Sequence, residues 1–237
     1  ADKGLHVLYG HNEAGKSSAL RALDGVELEG IYTHFASADT AGQSSARKQL
    51  ALFETVLAAI DRPPLVHAAN SSASFALPEA RYDMVRMGSA LYGLHPSADV
   101  RCPPDFMPAL TWKAMVTQVK TLPPGHGVSY GHEYVTVATE TVAVIPVGYA
   151  DGFRRFPKNV NEVLIHGQRA KVLGRVCMDQ VVVGVSHIAG VKAGDEVVLV
   201  GQQAGALMSP EEVARRWGTI NYDVMCGIMD RVPREYR

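Results

Sequence analysis

Residues 28–35 read Leu28-Glu29-Gly30-Ile31-Tyr32-Thr33-His34-Phe35 (LEGIYTHF), a short apolar run of the length of a buried strand. A second such run follows at 65–70, Leu65-Val66-His67-Ala68-Ala69-Asn70 (LVHAAN), after the turn signal Pro63-Pro64. Between the two, residues 43–60 (QSSARKQLALFETVLAAI) set Leu50, Phe53, Val56, Leu57 and Ile60 three and four apart, the period of an amphipathic helix. Strand, helix and strand in that order predict parallel strands joined by a crossover helix. A short helical piece around 74–78 and a strand-like run at 84–93 (MVRMGSALYG) continue the alternation.

The texture changes after His95-Pro96. Runs rich in β-branched residues at 109–119, 134–147, 162–164, 170–183 and 196–200 are separated by Gly, Pro and Asp turns, which predicts a mostly antiparallel β-domain. One clear helix is expected there, at 209–217 (SPEEVARRW). Ser209 is its cap, Pro210 its first residue and two glutamates fill its first turn. The fold class is therefore α/β plus all-β, with expected bounds of 1–24 for an N-terminal segment, 25–108 for the α/β part and 109–237 for the β-domain.

Composition limits the function. The chain has 237 residues, 47% hydrophobic and 20% charged, with a formal net charge of -1. That balance gives no electrostatic footprint for nucleic acid or an anionic membrane, so a small-molecule partner is expected. Cys102, Cys177 and Cys226 are odd in number and irregularly spaced, which fits neither a disulfide framework nor a zinc site. No metal is expected. No apolar run reaches the ~18 to 20 residues of a membrane helix, and no signal-peptide pattern is seen, so a cytoplasmic protein is predicted.

Four stretches carry candidate chemistry. Asn70-Ser71-Ser72 follows a strand and offers hydroxyl and amide donors to an anion, or simply a helix cap. Arg86-Met87-Gly88-Ser89 puts a permanent cation inside an apolar run, which calls for a ligand or carboxylate partner. Gly148-Tyr149-Ala150-Asp151-Gly152 presents a phenol that could exchange protons if nearby cations lowered its pKa; a β-turn with a packed tyrosine is the plainer alternative. Residues 174–180 (GRVCMDQ) interrupt a strand run, as a bulge turning backbone donors toward a substrate or as an ordinary turn.

The N-terminus contains another signal. Residues 10–17 (GHNEAGKS) match the phosphate-cradling pattern G-x-x-x-x-G-K-[ST], with Gly10, Gly15, Lys16 and Ser17 in the defining positions. Residues 4–23 resemble the start of chromosome-maintenance and recombination ATPases. A nucleotide-binding module is thus a rival reading, although no acidic strand end suited to Mg²⁺ follows.

Taken in order, LEGIYTHFASAD, NSSASF, VRMGSALYG, VSYGHEY, PVGYADGFRR, GRVCMDQ, GDEVVLVG and INYDVMCGIMDRVPREYR resemble the C-terminal part of bacterial alanine racemases. The resemblance spans about residues 25–237. It implies a partial TIM-type (β/α) barrel followed by a β-domain, pyridoxal phosphate as cofactor, interconversion of L- and D-alanine for peptidoglycan, and a homodimer with shared active sites. By the same resemblance Tyr149 is one of two racemising bases, and Arg86 faces the pyridine nitrogen with His34 orienting it. Asn70, Ser71, Gly88, Ser89 and Tyr222 are implied as cofactor-binding, the last four around its phosphate. Met178 would offer a backbone donor to the substrate carboxylate, supported by Asp179.

The family's cofactor lysine lies in a motif resembling V-K-A-x-A-Y-G-H-G. Here Tyr9-Gly10-His11 echoes its end, but Leu5 stands at the lysine's position. Residues 25–104 have room for only about three of the eight βα units of a barrel. The expectation is therefore two truncated pieces joined, with activity impaired or absent unless a lysine such as Lys3 or Lys16 substitutes. A non-catalytic fragment that self-associates is the remaining alternative.

Overall fold

A computed structural model describes residues 28–236. The chain divides into two compact units. Unit 1 runs to Gly88 and takes in Pro96–Arg101; unit 2 comprises Ser89–His95 and Cys102 onward.

In unit 1, β1 (Gly30–Tyr32) pairs in parallel with β2 (Leu65–His67), register Gly30 to Leu65 and Tyr32 to His67. The crossover is α1 (Ser44–Ala58), which buries Ala46, Leu50 and Phe53, the stripe that the three-and-four spacing predicts. These side chains close on Phe35, Val66, Ala68, Ala69, Ala73 and Leu77 to form the core of the unit. Gly30 is required at its position, because a Cβ there would press on the Leu65 carbonyl at 2.9 Å. After β2 the chain turns into α2 (Ser71–Ala76), whose first turn is capped by Asn70.

The strand expected at 84–93 does not form. Arg86 makes a single parallel bridge with Asn70, and Ser89–Tyr92 is a turn of 3₁₀-helix. The apolar content of MVRMGSALYG suggested a ladder, but Gly88 breaks the run and the polar atoms around Arg86 are committed elsewhere.

Unit 2 is antiparallel throughout. Its strands are β3 (Trp112–Met115), β4 (Gln118–Leu122), β5 (Gly127–Val128), β6 (Tyr134–Val135), β7 (Glu140–Ile145), β8 (Glu162–Ile165), β9 (Gln168–Lys171), β10 (Val181–Gly184), β11 (Glu196–Gln203) and β12 (Ala206–Met208). One sheet has the order β12-β11-β8-β9 with β3 also on β11; a second is β10-β7-β4; β5 and β6 form a small hairpin. The inward residues of β7, β8, β10 and β11, mostly Val, Ile and Leu, are fully buried in one core. Phe153 sits edge-on between Trp112 and Trp217, with ring centroids 6.1 and 6.0 Å away. The runs at 109–119, 134–147 and 170–183, each read above as continuous, are broken by turns; the last is divided by the loop that carries residues 174–180.

Two helices complete the unit, α3 (Pro210–Trp217) and α4 (Asn221–Cys226). Ser209 caps α3 by accepting from the Glu212 amide at 3.1 Å, and Gly218 ends it in the left-handed conformation at φ 66°. No helix among the described residues is long and apolar enough to cross a membrane.

Candidate functional site

The arginine centre of unit 1 is assembled at the C-terminal ends of its two parallel strands. Arg86 donates from Nη2 to the Thr33 carbonyl at 2.8 Å and the Ala68 carbonyl at 3.2 Å, and from Nη1 to the His67 carbonyl at 3.3 Å. Nη1 also lies 2.8 Å from His67 Nδ1, and Nη2 lies 3.1 Å from His34 Nδ1. A guanidinium has no acceptor atom, so both imidazoles must present a bare Nδ1 and carry their proton on Nε2. Burial, and then the Arg86 charge, hold the pKa of His34 and of His67 below the usual value. Burial likewise lowers that of Arg86.

Of the ligand or carboxylate partner expected for Arg86, no carboxylate contact is present among the described residues. Strand-end carbonyls and neutral imidazoles solvate the cation instead, which spares the site an opposing charge. His67, which sequence reasoning passed over, makes the shorter of the two histidine contacts; its place at the end of LVHAAN, next to the predicted anion site, was the available signal. The side-chain hydrogen bonds of Arg86 use Nη1 and Nη2, which leaves its Nε–H without a hydrogen bond among the described residues.

Beside this centre, Asn70 acts as the plainer reading proposed: its Oδ1 accepts from the Ala73 amide at 3.0 Å and caps α2. Ser71 is buried at the first turn of α2, and its Oγ accepts from the Gly88 amide at 2.9 Å. Two groups assigned to a phosphate thus meet each other.

In unit 2, Gly148 leads into the 3₁₀ turn Tyr149–Asp151. Buried Asp151 folds back to accept from the Gly148 amide at 2.8 Å, and its other oxygen pairs with Arg231 Nε at 2.9 Å. The Tyr149 amide donates to the Cys177 carbonyl at 3.1 Å and the Ala150 amide to the Met178 carbonyl at 2.9 Å, so the turn is bonded to the 174–180 loop. The loop's own amide at Met178 donates to no described residue. Tyr149 is 39% exposed and Met178 56%; Asp179 is exposed as well. Ser89 and Tyr222 also belong to unit 2.

A second tyrosine, Tyr130, lies within VSYGHEY and was not singled out from the sequence. It is 71% exposed on a turn where Ser129, Gly131 and His132 all have positive φ, 62°, 73° and 46°. Such a run of left-handed backbone is strained for Ser and His and persists only where neighbours hold it. Here Ser129 Oγ donates to the Arg175 carbonyl at 2.7 Å, and the Arg175 guanidinium lies against Gly131. Arg175 and Lys158 both pair with Glu133, at 2.5 and 2.8 Å, which pulls the Glu133 carboxyl down to about 2. Among the described residues no group of three His, Cys, Asp or Glu is placed to hold a metal. Gly10, Gly15, Lys16 and Ser17 lie outside the described residues, as does Leu5.

A parallel βα segment with an arginine at its strand ends, followed by an antiparallel β-domain with exposed tyrosines on glycine turns, gives a two-part α/β plus all-β architecture. The alanine racemase C-terminal domain model matches residues 109–236 and the N-terminal domain model residues 12–96. The chain belongs to the alanine racemase family, whose members are pyridoxal-phosphate-dependent isomerases. It is 48% identical over 221 residues to the alanine racemase of Symbiobacterium thermophilum, a match over 92% of this chain and 59% of that protein. Among solved structures it is similar to alanine racemase of Clostridium difficile 630 in complex with cycloserine (TM-score 0.82, 40% identity, 91% of this chain and 58% of that one). It also resembles the biosynthetic alanine racemase of Pseudomonas aeruginosa (TM-score 0.84, 32% identity, all of this chain and 65% of that one). The chain spans about 59% of the length of the curated relatives it matches.

Proposed function

We propose that the protein takes part in pyridoxal-phosphate-dependent interconversion of L- and D-alanine, with unit 1 holding the cofactor ring. The observation that carries this is the chemistry of Arg86. Its guanidinium is fixed by carbonyls and two neutral imidazoles, has no carboxylate partner among the described residues, and keeps Nε–H for an acceptor. A ring nitrogen facing an arginine stays unprotonated, because a guanidinium does not readily release its proton, and that choice favours racemisation over transamination. When bound, the cofactor supplies the electron sink that makes the substrate's α-proton labile. Ser71 Oγ, the Gly88 amide, Ser89 and Tyr222 are proposed to serve its phosphate end, the 2.9 Å bond between Ser71 and Gly88 reopening to admit it, with Asn70 as a further cofactor-binding residue.

The β-domain contributes a proton-carrying phenol. Tyr149 is the residue that the resemblance matches, and its turn is held to the 174–180 loop by the Tyr149 and Ala150 amides. The free amide of Met178, with Asp179 beside it, suits a substrate carboxylate. A lysine is proposed to carry the cofactor and the second proton. We further take the bounds 25–108 and 109–237 for the barrel and β-domain pieces, and a cytoplasmic homodimer that shares its active sites.

Incubation with pyridoxal phosphate, borohydride reduction and peptide mapping test this reading. The expected result is one labelled lysine and formation of D-alanine from L-alanine, with loss of at least about a hundredfold in Tyr149→Phe. No label and no D-alanine from the full-length protein sink the proposal.

A further inference from the structure

Tyr32 has no part in the functions assigned above, yet it touches both key groups of the arginine centre. It stands opposite His67 in the β1–β2 register. Paired residues of neighbouring strands direct their side chains to one face of the sheet, so the two rings meet. Their centroids are 5.1 Å apart and their planes 17° from parallel, a stacked pair. The Arg86 Cζ lies 5.1 Å from the centroid of the Tyr32 ring. The guanidinium nitrogens are thus held by carbonyls and imidazoles, while its central carbon lies over an aromatic ring. The phenol hydroxyl has no partner among the described residues and the side chain is 48% exposed, so the centre uses the ring and not the hydroxyl.

A guanidinium held only by neutral acceptors can turn to exchange them for water unless water is kept off its face. We propose that Tyr32 is a positioning residue for Arg86: its ring, stacked on His67 and set against the guanidinium, shields the arginine centre and fixes the guanidinium plane so that Nε remains the outward donor. The clamp itself stands on the contacts of unit 1; only its service to a ring nitrogen rests on the cofactor reading proposed above.

Tyr32→Phe and Tyr32→Leu in the full chain test it with two readouts. The first is the imidazole titration of His67 and His34 by NMR, which needs no cofactor. Tyr32→Phe is expected to titrate as the parent, whereas Tyr32→Leu moves His67 upward toward its ordinary 6.5 as burial and the Arg86 contact loosen. An unmoved His67 in Tyr32→Leu overturns the clamp, as does a Tyr32→Phe that behaves like Tyr32→Leu. The second is affinity for pyridoxal phosphate alone, by absorbance titration, in a double-mutant cycle with Arg86→Lys. Tyr32→Leu is expected to weaken binding about tenfold beside Arg86 and less than about twofold beside Lys. Equal losses in both backgrounds show that Tyr32 acts through the fold alone and overturn the proposal. Absence of binding by every variant, with His67 shifting as expected, removes the cofactor reading and leaves the clamp standing. Should Tyr32→Leu fail to fold, Tyr32→Met carries the same measurements.

Discussion

Gly148 marks a tight spot in the candidate site, and the reason is space rather than backbone freedom. Its φ of −152° is open to any residue, but a Cβ there would collide with the carbonyl oxygens of both Cys177 and Met178. Gly42 makes the opposite case: its φ is +73°, and a Cβ would meet nothing within 4 Å. Gly42→Ala should therefore cost only the left-handed penalty of about 1 kcal/mol. Gly148→Ala should cost about 2–4 kcal/mol, because the Tyr149 turn must separate from the 174–180 loop that accepts its amides. Thermal or denaturant unfolding measures both; equal losses would show that the turn yields easily and that Tyr149 is loosely held. In the sequence GYADG reads as a phenol on a β-turn, with nothing to mark a close approach. The collision partners lie twenty-nine and thirty residues further on, so only the folded chain reveals them. Arg86 was legible as a costly cation in an apolar run, but not its solvation, because the carbonyls that take the place of a carboxylate come from two strands.

Among the elements, α3 was the most legible, since every boundary signal is local. Ser209, Pro210, Glu211 and Glu212 begin it; Arg215, Arg216 and Gly218 end it. Ser209→Ala should remove one accepted amide bond and destabilise the β-unit by about 1 kcal/mol, with Ser209→Asp restoring most of the loss. Chemical denaturation with constant m-value checks it; no change in Ser209→Ala would mean that α3 is held by Val213 and Trp217 burial alone. By contrast α1 has no side-chain cap, and Gln43 enters it in the left-handed conformation. Its apolar stripe was enough to reveal it, because packing and not capping decides whether it forms. The run at 84–93 failed as a strand for the complementary reason: apolar content reports burial, not pairing, and a strand needs a neighbour along its whole length. Among the described residues only Asn70 supplies one, at Arg86.

For the molecule as a whole, the α/β plus all-β fold class was legible in the change of texture along the chain, and each of the two units has its own core. Their ionisable groups give them different acid sensitivities. In unit 1 burial and Arg86 hold His34 and His67 below 6.5, so the unfolded chain binds protons that the folded unit refuses once the pH falls under about 6.5. That stability is present above pH 6.5 and declines as the pH drops toward the folded values. In unit 2 Arg175 and Lys158 hold Glu133 at about 2 against a usual 4.5, a contribution present above pH 4.5 and lost only as the pH falls through about 2. Between pH 7.5 and 5, amides of β1 and β2 should lose hydrogen-exchange protection while those of β7 and β11 keep theirs, apart from the intrinsic rate change. Replacing His34 and His67 together by Gln should flatten the response of unit 1 in that window, because no ring is left to take the proton. Earlier loss in β7 and β11, or a pH response unchanged by the double substitution, would falsify the assignment of the acid-sensitive step to the arginine centre.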